Sequence, residues 1–319
     1  MTIHALAIPT PFAVGRVNCY LVEDDPLTLV DTGPNSGTSL TALEAALGEH
    51  GRRVEDLERI VITHQHFDHF GLLAILADRS GAEVCELDRL ASWLESFRDS
   101  TEADDAFAEA IMKRHGIPED MVMVLRALSR QYRAWGANAT ATALLADGGT
   151  LGFAGRSWTI HHRPGHSPTD TVFHDERSGE LIAGDHLIKH ISSNPLLTRP
   201  LDDSDERPKA LVAYIASMKA TQAMDVSVVL PGHGEAFGGH RELIDERLRM
   251  HDRRARKLLG LVAERPCTAY ELAQELWGNV AVTQAYLTLS EVLGHMDLLV
   301  DDRRAMEVEE DGVVRFAAA

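Results

Sequence analysis

Near the N-terminus, apolar positions gather in two short β-branched runs, "VNCYLVE" and "LTLVDTG", with the polar "DDP" between them. The pattern predicts a strand pair joined by a turn. The period then lengthens. "SGTSLTALEAALGEHG" spaces Leu40, Leu43 and Leu47 along one helical face, opens on Ser and Thr cap candidates and stops at a glycine. "RIVIT" reads as a buried strand, "LLAILADRSG" as a helix and "AEVCEL" as the next strand, so strand and helix alternate. Residues 88–136 differ, being mostly helical; Trp93, Phe97, Phe107, Tyr132 and Trp135 there either pack the helices onto the domain or give a substrate entrance an apolar wall. Strand signals return in "LGFAGRSWTIHHRPG", "TVFHDE", "GELIAGDHL" and "VSVVLPGHG".

From about residue 240 the pattern changes again. "HRELIDERLRMHDRRARKLLGLVAE" is a long amphipathic helix with a basic stretch at Arg253, Arg254, Arg256 and Lys257, read as a solvated helix face. "TAYELAQELWG" carries a capping-box signature, Thr268 followed three residues later by Glu271. "VTQAYLTLSEVLGHMDLLV" reads as one helix running into a final hairpin. Helix, helix, helix and hairpin is the order of a winged helix.

Polar residues at the ends of the apolar runs suggest the chemistry. "ITHQHFDHFG" puts His64, His66, Asp68 and His69 directly after a strand; "PGHSPTD" supplies His166, "AGDH" supplies Asp185 and "PGHG" supplies His233. Imidazole and carboxylate are the usual ligands of zinc and similar divalent ions. Glycines beside three of these segments let the backbone turn sharply, and the strands give a rigid base. His161 and His162, before the "RPGHS" turn, are not assigned as ligands.

Composition narrows the class. The 319 residues are 45% hydrophobic and 25% charged, ordinary for a globular chain, and the net charge of -18 disfavours diffuse binding to nucleic acid or anionic membranes. From Thr268 onward three arginines and no lysine face ten acidic residues, a poor phosphate-binding surface. Cys19, Cys85 and Cys267 are far apart and outside any C-x-x-C spacing, which predicts neither disulfides nor a thiolate site. The start lacks the features of a secretory signal and no run is long enough to span a bilayer, so the expected location is the cytoplasm.

The motif H-x-H-x-D-H followed in order by His166, Asp185 and His233 resembles the metallo-β-lactamase superfamily, especially its glyoxalase II-like hydrolases. The resemblance implies an αββα sandwich over residues 1–239, with 88–136 as a helical insertion, and a small winged-helix-like domain over 240–319. It further implies that His64, His66 and His166 hold one metal ion, that Asp68, His69 and His233 hold a second, and that Asp185 bridges them. Zinc is the first expectation, with iron or manganese also suited. Asp68 is the expected catalytic residue. Asp31, in "VDTG", is expected to orient a ligand, and His186, Lys189, His190, Ser192 and Ser193 to contact substrate. The expected reaction is hydrolysis of a small ester, thioester or lactone. Phosphodiester or RNA hydrolysis and an iron-dependent, persulfide dioxygenase-type oxidation are the alternatives; a small-molecule substrate is the expected partner, and the sequence leaves monomer and homodimer both open.

Overall fold

The computed structural model describes residues 2–202, 204 and 206–319. It divides into two compact units built from interleaved segments: residues 1–101, 132–193 and 223–240 form the first, and 102–131, 194–222 and 241–319 the second. The contiguous division at 239/240 expected from sequence does not include this interleaving. Among the described residues no helix is long and apolar enough to cross a membrane.

The first unit contains two mixed sheets with helices. One sheet orders its strands β1 (Ile3–Ile8), β2 (Val17–Val22), β3 (Thr28–Val30), β4 (Arg59–Val61), β5 (Glu83–Leu87) and β6 (Ala143–Leu145) in sequence. The other comprises β7 (Thr150–Phe153), β8 (Arg156–His162), β9 (Thr171–Asp175), β10 (Glu180–Gly184) and β11 (Val228–Pro231). Pairing is antiparallel through β3 and parallel from β3 to β6, and β11 joins β10 in parallel. Tyr20, Val30, Val61 and Cys85 from the first sheet share one core with Phe153, Trp158, Phe173 and Ile182 from the second. This is the αββα sandwich expected from the sequence. The helix Gly37–Glu49 begins where predicted, with the Ser36 hydroxyl accepting from the Ser39 N–H at 3.0 Å.

Backbone bonds close the first unit around the strand ends. Asn18 N–H donates to the Gly232 carbonyl at 2.7 Å, and its side-chain amide donates to the carbonyls of Pro231 and Gly234 at 2.9 and 2.7 Å. The Tyr20 hydroxyl donates to Pro231 O at 2.7 Å. The "PGHG" turn is therefore fastened to β2, more than two hundred residues earlier in sequence.

The second unit is mainly helical: Phe97–Arg114 from residue 102 onward, Glu119–Tyr132 up to residue 131, Ala210–Gln222, His240–Glu264 from 241, Ala269–Trp277, Val280–Thr283 and Ala285–Asp301. β12 (Cys267–Thr268), β13 (Ala305–Glu310) and β14 (Val313–Ala318) form its sheet in the order β12-β14-β13. The capping box forms as read, Glu271 N–H donating to Thr268 Oγ1 at 3.1 Å and Thr268 N–H to the Glu271 carboxylate at 2.7 Å. One expected helix is instead two, because Gln284 leaves helical geometry between Thr283 and Ala285. Ile111, Met112 and Val122 from the middle of the chain share a core with Leu272, Leu289, Leu293 and Phe316.

Candidate metal centre

Four connections at strand ends carry the seven predicted side chains. β4 ends at Val61 and leads through Thr63 to His64 and His66; Asp68 and His69 lie on the short helix Phe67–Phe70. His166 lies between β8 and β9, Asp185 follows β10 and His233 follows β11. The structure brings all seven together. His64, His66 and His166 form one cluster, His64, His69 and Asp185 a second, and Asp68, His69 and His233 a third, with ligand-type atoms in each cluster within 4.8 Å of one another. Asp185 sits between them: its oxygens are 3.4 Å from His69 Nε2, 3.4 Å from His233 Nε2 and 3.6 Å from His166 Nε2. Asp68 Oδ2 is 3.3 Å from His233 Nε2.

The outer edges of these rings are tied down. His69 Nδ1 and Asp31 Oδ2 are 2.7 Å apart, and His233 Nδ1 donates to the Arg16 carbonyl at 2.8 Å. Thr63 Oγ1 bonds to His64 Nδ1 at 3.0 Å and donates to Asp31 Oδ2 at 2.8 Å, while Thr63 N–H donates to Asp31 Oδ1 at 2.9 Å. Asp31 is 2% exposed and has φ +60°, a left-handed conformation that Asp tolerates better than most side chains. The inner edges have the opposite character. His66 Nε2, His69 Nε2, His233 Nε2 and Asp185 Oδ1 are buried and make no hydrogen bond.

Electrostatics sharpens this contrast. Burial pushes His64 well below the ordinary imidazole range and His66 down to about 3, so both rings are neutral. Burial would also lower His69 and His233, but Asp185 and the other carboxylates outweigh it, raising His69 well above the ordinary range and His233 to about 9. Burial by itself would raise Asp185; His69 and His233 hold it well below the usual carboxylate range instead. Two buried carboxylates thus face imidazole nitrogens and call for positive charge at the centre. Protons on the rings supply some of it, and so would divalent cations held by the same inward-facing atoms. The donor set, nitrogen and carboxylate oxygen with no thiolate, fits zinc, iron or manganese.

The other sequence candidates separate. Lys189 and His190 are exposed and Ser192 is half-buried. His186 and Ser193 are buried instead of open to a substrate, and Ser193 Oγ donates to the Asp185 carbonyl, so it supports the loop. His190 lies against Gly234: a Cβ built there would come within 2.9 Å of its ring. Of the aromatic candidates, Trp93 and Phe97 are buried around Phe70 rather than forming an entrance, and Phe107 packs against the core of the second unit. Tyr132 and Trp135 meet Phe12 edge-on, at ring-centroid separations of 6.2 and 6.4 Å.

Several supporting residues had no place in the sequence reading. Gln65 Oε1 accepts from Thr169 Oγ1 at 2.8 Å, and Asp170 accepts from the Ser167 N–H at 2.8 Å beside His166. Burial raises Asp170 well above the usual carboxylate range. Asp170 closes the quoted "PGHSPTD" segment, so its proximity to His166 was the available signal; Thr63 offered only its position before His64.

Comparison with known proteins agrees with this architecture. The pattern of the Metallo-beta-lactamase superfamily matches residues 13–233. The chain is 32% identical over 313 residues to "Probable metallo-hydrolase YqjP" of Bacillus subtilis (strain 168), covering 98% of this chain and 96% of that protein. It also resembles two solved structures. One is a metallo-beta-lactamase family protein from Thermus thermophilus, with TM-score 0.81, 25% identity, and 99% and 98% of the two chains covered. The other is a beta-lactamase domain protein from Burkholderia ambifaria, with TM-score 0.83, 28% identity, and 99% and 92% covered. With the family pattern running through residues 13–233 and each of the strand-end segments, the chain belongs to the metallo-beta-lactamase superfamily.

Proposed function

We propose that this protein is a metal-dependent hydrolase of the glyoxalase II-like type, acting on a small ester, thioester or lactone. The observation that carries the reading is the centre's polarity: ring nitrogens anchored on the outside, and on the inside nitrogens and a carboxylate oxygen that face one another without a hydrogen bond. His64, His66 and His166 would hold one divalent ion, Asp68, His69 and His233 a second, and Asp185 both, with zinc the first choice. When bound, such a pair supplies Lewis acidity and an activated water.

The chain's own residues provide the remaining functions. Asp31 and Thr63 fix the rings of His69 and His64, so the inner nitrogens stay aimed without rearrangement. Asp68, 6% exposed and close to His233, is the carboxylate placed to accept a proton and return it to a leaving group. Phe12, Tyr132 and Trp135 supply partly exposed aromatic surface, and Trp135 O accepts from Asn35 N–H at 2.9 Å, which fixes that segment to the first unit. These rings favour an apolar acyl group. The C-terminal helices and three-stranded sheet are of winged-helix type and serve packing or dimerisation.

Purified protein of measured metal content should hydrolyse members of a thioester, ester and lactone panel faster than phosphodiesters or RNA. Absence of bound transition metal, phosphodiester preference, or oxygen uptake with a persulfide in place of hydrolysis would refute the reading.

A further inference from the structure

The long helix His240–Glu264 carries a basic face that the metal centre does not use. Met250, Arg253, Arg254 and Lys257 follow one another at helical spacing, and with Leu276 and Trp277 they line a groove of about 300 Å³ in the second unit. Its parts are of two kinds. Arg254 lies over the Trp277 ring, its guanidinium carbon 5.3 Å from the centroid, and also pairs with the buried Glu291. Arg256, on another side of the helix, pairs with Asp252. Arg253 and Lys257 are exposed, and neither has a carboxylate within ion-pair distance among the described residues. Two uncompensated cations beside an indole are notable in a chain of net charge -18, where acidic partners abound.

From this juxtaposition we infer that the groove is a second ligand site, independent of the metal centre, for a small organic phosphate that carries a planar ring, of the nucleotide class. The phosphate takes the charges of Arg253 and Lys257, two cations able to give charge-assisted hydrogen bonds. The ring takes the half-buried indole of Trp277, which Arg254 holds in place, with Met250 and Leu276 as apolar sides. The volume lies at the lower end of small-molecule sites, which suits a mononucleotide and leaves no track for a polymer. The acidic residues that surround the remainder of the C-terminal segment would repel a longer phosphate chain.

The test uses full-length, metal-loaded protein, titrated by calorimetry at low salt with AMP, adenosine, inorganic phosphate and a short single-stranded RNA. AMP should bind at one site per chain, at least tenfold more tightly than adenosine or phosphate, and the binding should weaken as salt rises. The exposed double variant Arg253→Gln with Lys257→Gln should lose at least tenfold in AMP affinity with its melting temperature and metal content unchanged. Trp277→Leu should erase the preference of AMP over phosphate. Failure of AMP to bind, equal affinity for AMP and phosphate, or an unaffected double variant would overturn the proposal. RNA binding more tightly than AMP would show a nucleic-acid surface instead, and a change of oligomeric state in the double variant would show an interface between copies of the chain.

Discussion

Glu86 offers a test of the fold's internal electrostatics away from the metal centre. It lies on β5 between Cys85, which faces the core of the sandwich, and Leu87; its side chain is 0% exposed and neither carboxylate oxygen has a hydrogen-bond partner. Burial alone pushes its carboxyl up to about 8 from 4.5, with no charged neighbour contributing. The sign follows from proton counts. Between these two values the folded chain keeps the proton that the unfolded chain has released, so folding takes up a proton and stability falls as pH rises. Below 4.5 both states are protonated and the penalty vanishes; above about 8 it is constant. At about 1.4 kcal/mol per pH unit, the rise from pH 5 to 7.5 costs about 3 kcal/mol. Glu86→Leu removes the titration and fills the space with apolar atoms. Urea unfolding of wild type and variant side by side, at pH 5 and 7.5, isolates this group, since other titrating residues cancel in the difference. The variant's advantage should grow by about 3 kcal/mol between the two pH values. Glu86→Gln should show the same pH trend with a smaller absolute gain, because its amide is also unpartnered. A difference that stays constant with pH would refute the reasoning, as it would mean that Glu86 is ionised and compensated in the folded protein.

The metal centre yields four further expectations. Asp31→Ala takes the acceptor from His69 Nδ1 and from both Thr63 donors, so metal affinity in a chelator competition should fall about ten- to a hundredfold, and an unchanged affinity would remove its orienting role. If the centre holds two ions as proposed, Asp185→Ala should weaken both together, because its oxygens lie near His69, His166 and His233; elemental analysis showing one equivalent fully retained would contradict the proposed bridging role. Asp68→Asn should lower turnover about a hundred- to ten-thousandfold at full metal content, and near-wild-type rates would reject proton transfer by Asp68. Gly232→Ala would place a methyl carbon 2.2 Å from Asp185 Oδ1 and 2.8 Å from His69 Cε1, so metal content should drop while circular dichroism stays native; a fully loaded variant would show that Asp185 can move without consequence.

The fold was legible where the hydrophobic period was regular and the partners were local. Leu43 and Leu47 follow the cap at Ser36 and are fully buried, and the capping box of Thr268 and Glu271 forms as its spacing requires. Which core a helix joins was not legible, because amphipathicity shows that a face is covered and says nothing about what covers it. Phe107 could therefore be read as the wall of a substrate entrance, yet it packs beside Met112 and Val122 against residues of the C-terminal segment. The break at Gln284 was hidden for a related reason: "VTQAYLTLSEVLGHMDLLV" contains no proline, and its glycine at 294 lies inside a helix, with Leu211 so near that a Cβ there would fall within 2.6 Å of it.

The centre was legible to a different depth at each distance from the metal-facing atoms. The seven convergent side chains come from four connections that follow strands, and polar residues clustered in such a place depart from the local pattern enough to be seen. The groups that orient them do not. Thr63 continues a strand-like run, Asn18 and Tyr20 sit inside one, and Gln65 is indistinguishable from a solvated polar residue until Thr169, 104 positions away, donates to it. Such residues acquire their role from tertiary contacts, and a linear pattern carries no trace of a partner that lies far along the chain. The same logic bears on specificity. A residue can be polar, near a ligand in sequence and still turned inward, as His186 is. His190, four positions further, is exposed and rests on the glycine that follows His233. Adjacency to Asp185 treated these two histidines alike; the turn of the backbone between them buries the first and leaves the second open to solvent.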